Sequence, residues 1–141
     1  MKSSILKDPV EIILIDSDNV SIALTKIYFD QILGNNKQII KFVNYSDALN
    51  YLGKAKDDSP KIIFLEPNSN HGQDFSFLDR YQLLHRHDYV YIISIPIYKS
   101  DFSGNLSYNF VRKHLSKPLN FKQIISIVQE LHLTEDLYID S

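Results

Sequence analysis

Four apolar, strand-like runs in this 141-residue chain end on side chains able to handle phosphate oxygens or a cation. Asp16, Ser17 and Asp18 follow EIILI, Glu66 follows KIIFL, Ser94 closes YVYIIS, and Lys117-Pro118 follows the run from Phe110 to Leu115. Clustered carboxylates hold a hard divalent cation through oxygen ligands, and a hydroxyl with an ammonium beside them binds the oxygens of a phosphoryl group. Taken singly, each residue also has a purely structural use. Asp18 caps the helix that follows, Ser17 or Asp16 satisfies turn backbone, Glu66 and Lys117 are solvated charges, and Ser94 is a small polar residue packed where its strand leaves the sheet. Their convergence at four of five strand ends is what points to a site.

The elements that must position these groups are legible from residue pattern. Runs rich in β-branched and aromatic residues at Glu11–Ile15, Gln38–Val43, Lys61–Leu65, Tyr89–Ile95 and Phe110–Leu115 read as strands. IILI, IIFL and VYIISI are nearly continuous apolar stretches, as expected of central parallel strands covered on both faces. Between them, Val20, Ala23, Leu24, Ile27 and Tyr28 have helical spacing and end at Gly34-Asn35. Ser46 can cap a short helix carrying Ala48, Leu49 and Leu52, and Phe75, Leu78, Tyr81 and Leu84 form a third stripe. Asn120 can cap a last helix with Phe121, Ile124, Ile125, Val128 and Leu131 on its buried face. The remaining slot, Tyr98 to Tyr108, holds Ser100, Ser103, Gly104, Asn105 and Ser107, which favour turns, so the expected helix there is short or irregular. Five βα units in about 120 residues predict a doubly wound five-stranded parallel sheet of the flavodoxin-like order 2-1-3-4-5, with its working site beyond the carboxyl ends of the strands.

Composition narrows the chemistry. There is no cysteine, which removes thiolate catalysis, Cys-ligated zinc and iron–sulfur clusters. Fifteen Lys plus Arg against 17 Asp plus Glu give no global basic field, so nucleic acid is not an expected partner. The residues before Val10 have no apolar stretch of the secretory kind and no run reaches membrane-spanning length, making the cytoplasm the expected location and a membrane no expected partner. The expected organisation is an N-terminal extension at 1–9, one domain at 10–133, and an acidic tail at 134–141.

From about Val10 to about Leu133, the stretches EIILIDSDN, KIIFLEPNS, YVYIIS and HLSKPLN resemble the receiver (CheY-like) domain of bacterial two-component response regulators. In that family two adjacent acids after the first strand and a phospho-accepting aspartate after the third hold magnesium, while a Ser or Thr and a Lys bind the phosphoryl oxygens. The resemblance places Asp16 at the first acid, Ser17 at the second and Glu66 at the phospho-acceptor. Asn68 falls at the position whose carbonyl ligates the metal, Ser94 at the hydroxyl, Lys117 at the lysine and His114 at the aromatic switch. It implies a sensor histidine kinase or phosphotransfer protein docking near the first helix and the loop after the fifth strand. The downstream protein is unspecified. The face carrying Tyr98, Phe102, Tyr108, Phe110 and Arg112 is implied as an output or homodimer surface, or as aromatics packed inward.

Two departures bear on chemistry. Ser17 removes an anionic metal ligand, and Glu66 displaces the acceptor carboxylate by on the order of 1 Å, an error that costs about a hundredfold in an in-line transfer. Asn70 and Asp74, where the family usually has Pro and Gly, depart further. The expectation is a degenerate receiver: a binding module in which Glu66 reaches toward Ser94 and Lys117 and partly mimics a phosphorylated aspartate. Magnesium binding on Asp16, Asp18, Glu66 and the Asn68 carbonyl is expected to be weak or lost. The rival reading is a haloacid-dehalogenase-type phosphatase, because Asp16-Ser17-Asp18-Asn19-Val20 matches that family's DxDx(T/V) pattern with Asp16 as nucleophile and Asp18 as general acid. Chain order opposes it, since its final acids should follow the lysine, whereas Glu66 precedes both Ser94 and Lys117. No GxGxxG supports a dinucleotide site, DSDN is a poor phosphate loop for a flavin-type binder, and the lone pair His85 and His87 reads as a solvated helix end.

Overall fold

The fold was obtained as a computed structural model, which describes residues 10–56, 59–67, 76–94 and 108–133. The chain runs β1 (Val10–Ile15), α1 (Asn19–Leu33), β2 (Lys37–Phe42), α2 (Tyr45–Lys54), β3 (Ile62–Leu65), α3 (Ser76–Gln82), β4 (Tyr89–Ser94), β5 (Val111–Ser116) and α4 (Phe121–Glu130). Neighbouring strands pair in parallel in the order β2-β1-β3-β4-β5, as the alternation of apolar runs and helical stripes predicts.

Continuous apolar strands work here because successive side chains feed opposite layers. Ile12, Leu14, Ile62, Phe64, Tyr91 and Ile93 meet Ile22 and Phe29 of α1 and Ile124, Ile127 and Val128 of α4. Ile13, Ile15, Ile63, Leu65, Val90 and Ile92 meet Ala48, Leu49 and Leu52 of α2 and Phe77, Leu78 and Tyr81 of α3. β2 and β5 are the sheet edges and are only half-buried, in keeping with their Lys, Gln and Arg content.

Several details differ from the sequence reading. The buried face of α1 is Ile22, Thr25, Phe29 and Leu33, whereas Val20 and Ile27 of the expected stripe are 68% and 48% exposed. The segment is apolar nearly all round, so periodicity alone does not set its phase; Thr25 is tolerated inside because its hydroxyl donates to the Ser21 carbonyl at 2.9 Å. Asn44, two residues before Ser46, caps α2 by accepting from the Asp47 N–H at 2.8 Å. Asn120 caps α4 as expected and forms a reciprocal capping box with Gln123. On α4, Ile127 is buried while Phe121 is 38% exposed and meets Tyr28 edge-on. The slot at 98–107, Phe75, and the segments at 1–9 and 134–141 lie outside the described residues.

Candidate functional site

Parallel pairing sets Ile15 beside Leu65, so the residues that follow, Asp16 and Glu66, emerge together at the carboxyl edge of the sheet. The Glu66 N–H donates to the Ile15 carbonyl at 2.9 Å and fixes that exit. On the other side, Ser94 pairs with Ser116, and the Lys117 N–H donates to the Ser94 carbonyl at 2.9 Å. The Lys117–Pro118 peptide bond is cis. Lys117 sends its ammonium back over the strand ends to lie 2.5 Å from Glu66 Oε2 and 3.0 and 3.1 Å from Asp16 Oδ2 and Oδ1.

Two carboxylates thus share one ammonium where little water reaches: the three side chains are only 14%, 11% and 8% exposed for Glu66, Asp16 and Lys117. Such a triad cannot carry both negative charges with equal ease. Burial pushes Asp16 up to about 6, and the hydrogen bond its protonated carboxyl makes to Glu66 pushes the same way, against the Asp18 N–H and Lys117. Glu66 is held below its ordinary value: burial raises it, but the hydrogen bonds from Asp16 and Lys117 and the nearby ammonium outweigh that. Lys117 is raised despite burial, because Glu66 and Asp16 both favour its charged form. The stable core of the triad is therefore the Glu66–Lys117 ion pair, with Asp16 as the carboxyl that takes up a proton first.

The remaining predicted residues separate. Asp18 caps α1, its Oδ1 accepting from the Val20 and Ser21 N–H groups at 3.0 and 3.3 Å. Asp16 Oδ1 in turn accepts from the Asp18 N–H at 2.8 Å. Ser17 touches Glu66 Oε1 only loosely, through its N–H at 3.4 Å and its hydroxyl at 3.5 Å. Ser94 is buried at the edge of the triad, but among the described residues no hydrogen bond joins its hydroxyl to Glu66 or to Lys117. His114 is half-buried on β5 beside Ile92, and Asn68 lies outside the described residues. Strand two, from which sequence reading expected no group, brings in Tyr45 at its junction with α2; the phenol donates to the Glu66 carbonyl at 3.2 Å. An aromatic directly after a capping Asn was the available signal, but nothing in the one-dimensional pattern joined it to Glu66.

The donor set also decides what the site can hold. Magnesium needs near-octahedral oxygen ligation. Here Asp16 and Glu66 face an ammonium, Asp18 faces the helix backbone, and Ser17 offers a neutral hydroxyl. As arranged, Lys117 supplies the positive charge that Asp16 and Glu66 face.

Solved structures that superpose on this chain include receiver domains of response regulators. A response regulator receiver protein from Dyadobacter fermentans superposes with a TM-score of 0.70 at 18% identity, over 86% of this chain and 96% of that one. A two-component response regulator from Legionella pneumophila gives 0.68 at 24% identity, over 87% and 98%. A CheY-like receiver domain from Methylobacillus flagellatus gives 0.65 at 16%, over 88% and 99%. No family model and no curated protein matches the sequence. The fold of this chain is the response regulator receiver (CheY-like) fold, and at these identities the likeness extends to the fold alone.

Proposed function

We propose that this chain is a degenerate receiver, a non-enzymatic binding module of two-component signalling whose site is closed by its own ion pair. The observation that carries this reading is the 2.5 Å contact between Lys117 Nζ and Glu66 Oε2. In the receiver fold a lysine at this strand end meets the phosphoryl oxygens. Glu66, one methylene longer than aspartate, delivers a carboxylate oxygen to that lysine directly. Ser17 in place of an acid supports the same reading, because it removes a carboxylate that would help a divalent cation compete with Lys117 for this site.

The partner is a sensor histidine kinase or phosphotransfer protein, or a protein that otherwise binds the phosphorylated form of such a domain. Val20 and Ile27 on α1 and Phe121 at the start of α4 leave apolar surface exposed where such a partner would dock. The alternative surface is weaker. Phe110 packs on Tyr81 with ring centroids 5.1 Å apart, Tyr108 donates to Asp79, and Arg112 is paired with Glu130, so these three are already engaged. Among the described residues no helix is long and apolar enough to cross a membrane. The phosphatase reading loses its general acid, because Asp18 is committed to capping α1.

The test is restoration. Ser17→Asp combined with Glu66→Asp should bring back magnesium binding and phosphorylation by acetyl phosphate, followed by intact mass and by NMR shifts at the strand ends. If neither property returns, the pocket is not a receiver pocket with two altered groups and this reading fails.

A further inference from the structure

A groove of about 620 Å³ opens beside the Lys117 triad, walled by the end of β1, the junction of β2 with α2, Glu66 and α3. Its size lies within the range of roughly 300–1,000 Å³ typical of small-ligand sites. Three of its polar groups are under-used. Arg80 of α3 lines it and makes no hydrogen bond or ion pair among the described residues, its neighbour Asp79 being taken up by the Tyr108 phenol at 2.5 Å. Glu66 Oε1 accepts from the Ser17 N–H and hydroxyl at the long distances of 3.4 and 3.5 Å, whereas Oε2 serves Lys117 at 2.5 Å. Asp47 is exposed and accepts from the Asn44 side chain with Oδ2 at 3.0 Å, while no hydrogen bond engages its Oδ1 among the described residues.

Charge selects the ligand class. Asp16, Glu66 and Asp47 set three carboxylates against the two cations Lys117 and Arg80, leaving one negative charge around a groove that also presents an isolated guanidinium. A simple anion would suit Arg80 and be repelled by the rest, and a simple cation would leave Arg80 unanswered. A molecule with one carboxylate and two amino groups answers both. We propose that this groove binds a basic amino acid of the lysine class. Its carboxylate lies on the Arg80 guanidinium, its amino groups lie on Glu66 Oε1 and Asp47, and its aliphatic chain runs along the Tyr45 side of the groove. This groove shares Glu66 with the proposed receiver site but its binding requires no phosphotransfer, so failure of either reading is distinguishable from failure of the other.

The experiment is a titration of the full chain with L-lysine, read by amide NMR shifts. Saturable shifts should cluster at Ser17, Asp47 and Arg80. Arg80→Gln, an exposed substitution that the fold should tolerate, and Asp47→Asn should each weaken binding by roughly tenfold, as should replacing the probe by L-lysine amide, which lacks the carboxylate. No saturable response up to about 10 mM L-lysine would overturn the proposal. So would binding that is indifferent both to Arg80→Gln and to loss of the ligand carboxylate.

Discussion

The two ends of this sheet carry similar polar groups put to opposite use. At the amino ends of β3 and β4, Asp88 is surrounded by donors: Arg86 at 2.8 and 3.0 Å, the Tyr81 phenol at 2.7 Å and the Lys61 N–H at 2.9 Å. Arg86 also donates to the Leu52 carbonyl at 3.3 Å, tying α2 into the cluster. Close by, the buried Lys61 ammonium pairs with Glu11 at 3.3 Å, and Glu11 accepts from Tyr51. Burial alone would raise Asp88, yet Arg86 and the other donors hold it below the usual carboxylate range. At the carboxyl ends two carboxylates compete for one ammonium, and one of them is pushed up to about 6. A satisfied network pins elements together, whereas one with a surplus charge stays responsive to protons and ligands.

That contrast orders the effects of substitution. Asp88→Ala should be the most damaging, lowering stability by about 3–5 kcal/mol in urea denaturation, since it removes the carboxylate that Arg86, the buried Tyr81 hydroxyl and the Lys61 N–H all donate to. Because Asp88 has a lower pKa folded than unfolded, its stabilisation is complete above the ordinary carboxylate range and is lost as pH falls through that range toward the folded value. Lys117→Met should follow at about 2–3 kcal/mol at neutral pH, with much of the loss recovered on acidification as the two abandoned carboxylates take up protons. A loss that stayed constant with pH would show that the triad is not electrostatically coupled.

Asp16→Asn should act in the opposite sense. A carboxyl raised from 3.8 to about 6 destabilises the fold progressively as pH rises through that interval, so the amide should be neutral or stabilising by about 1 kcal/mol at pH 7. It should also abolish the carboxyl titration near pH 6 in carbon-detected NMR. Arg112→Ala, which breaks an exposed pair with Glu130 at 2.6 Å, should change stability by no more than about 1 kcal/mol.

What the sequence made legible follows the same physics. IILI, IIFL and VYIISI announced central parallel strands because burial on both faces leaves no polar alternation, and strand ends then located Asp16, Glu66, Ser94 and Lys117 by topology alone. The phase of α1 was not legible, since Val20 and Ile27 are as apolar as Ile22 and Phe29 and only the packed sheet distinguishes them. Asp18 illustrates the limit for sites: its residue type suits a metal ligand and a cap equally, and the geometry of the α1 N-terminus gives it to the backbone. Tyr45 and Arg80 went unnoticed because their importance arises from elements distant in sequence meeting around one groove.

On the proposed reading, Glu66 occupies Lys117 in the place of a phosphoryl group. Intact-protein mass spectrometry after incubation with magnesium and acetyl phosphate, with peptide mapping of any adduct, tests it most directly. An unmodified mass is the predicted result. A phosphoryl adduct on Glu66 would contradict the account by showing a working acceptor, and one on Asp16 would replace the receiver reading with that of a phosphatase.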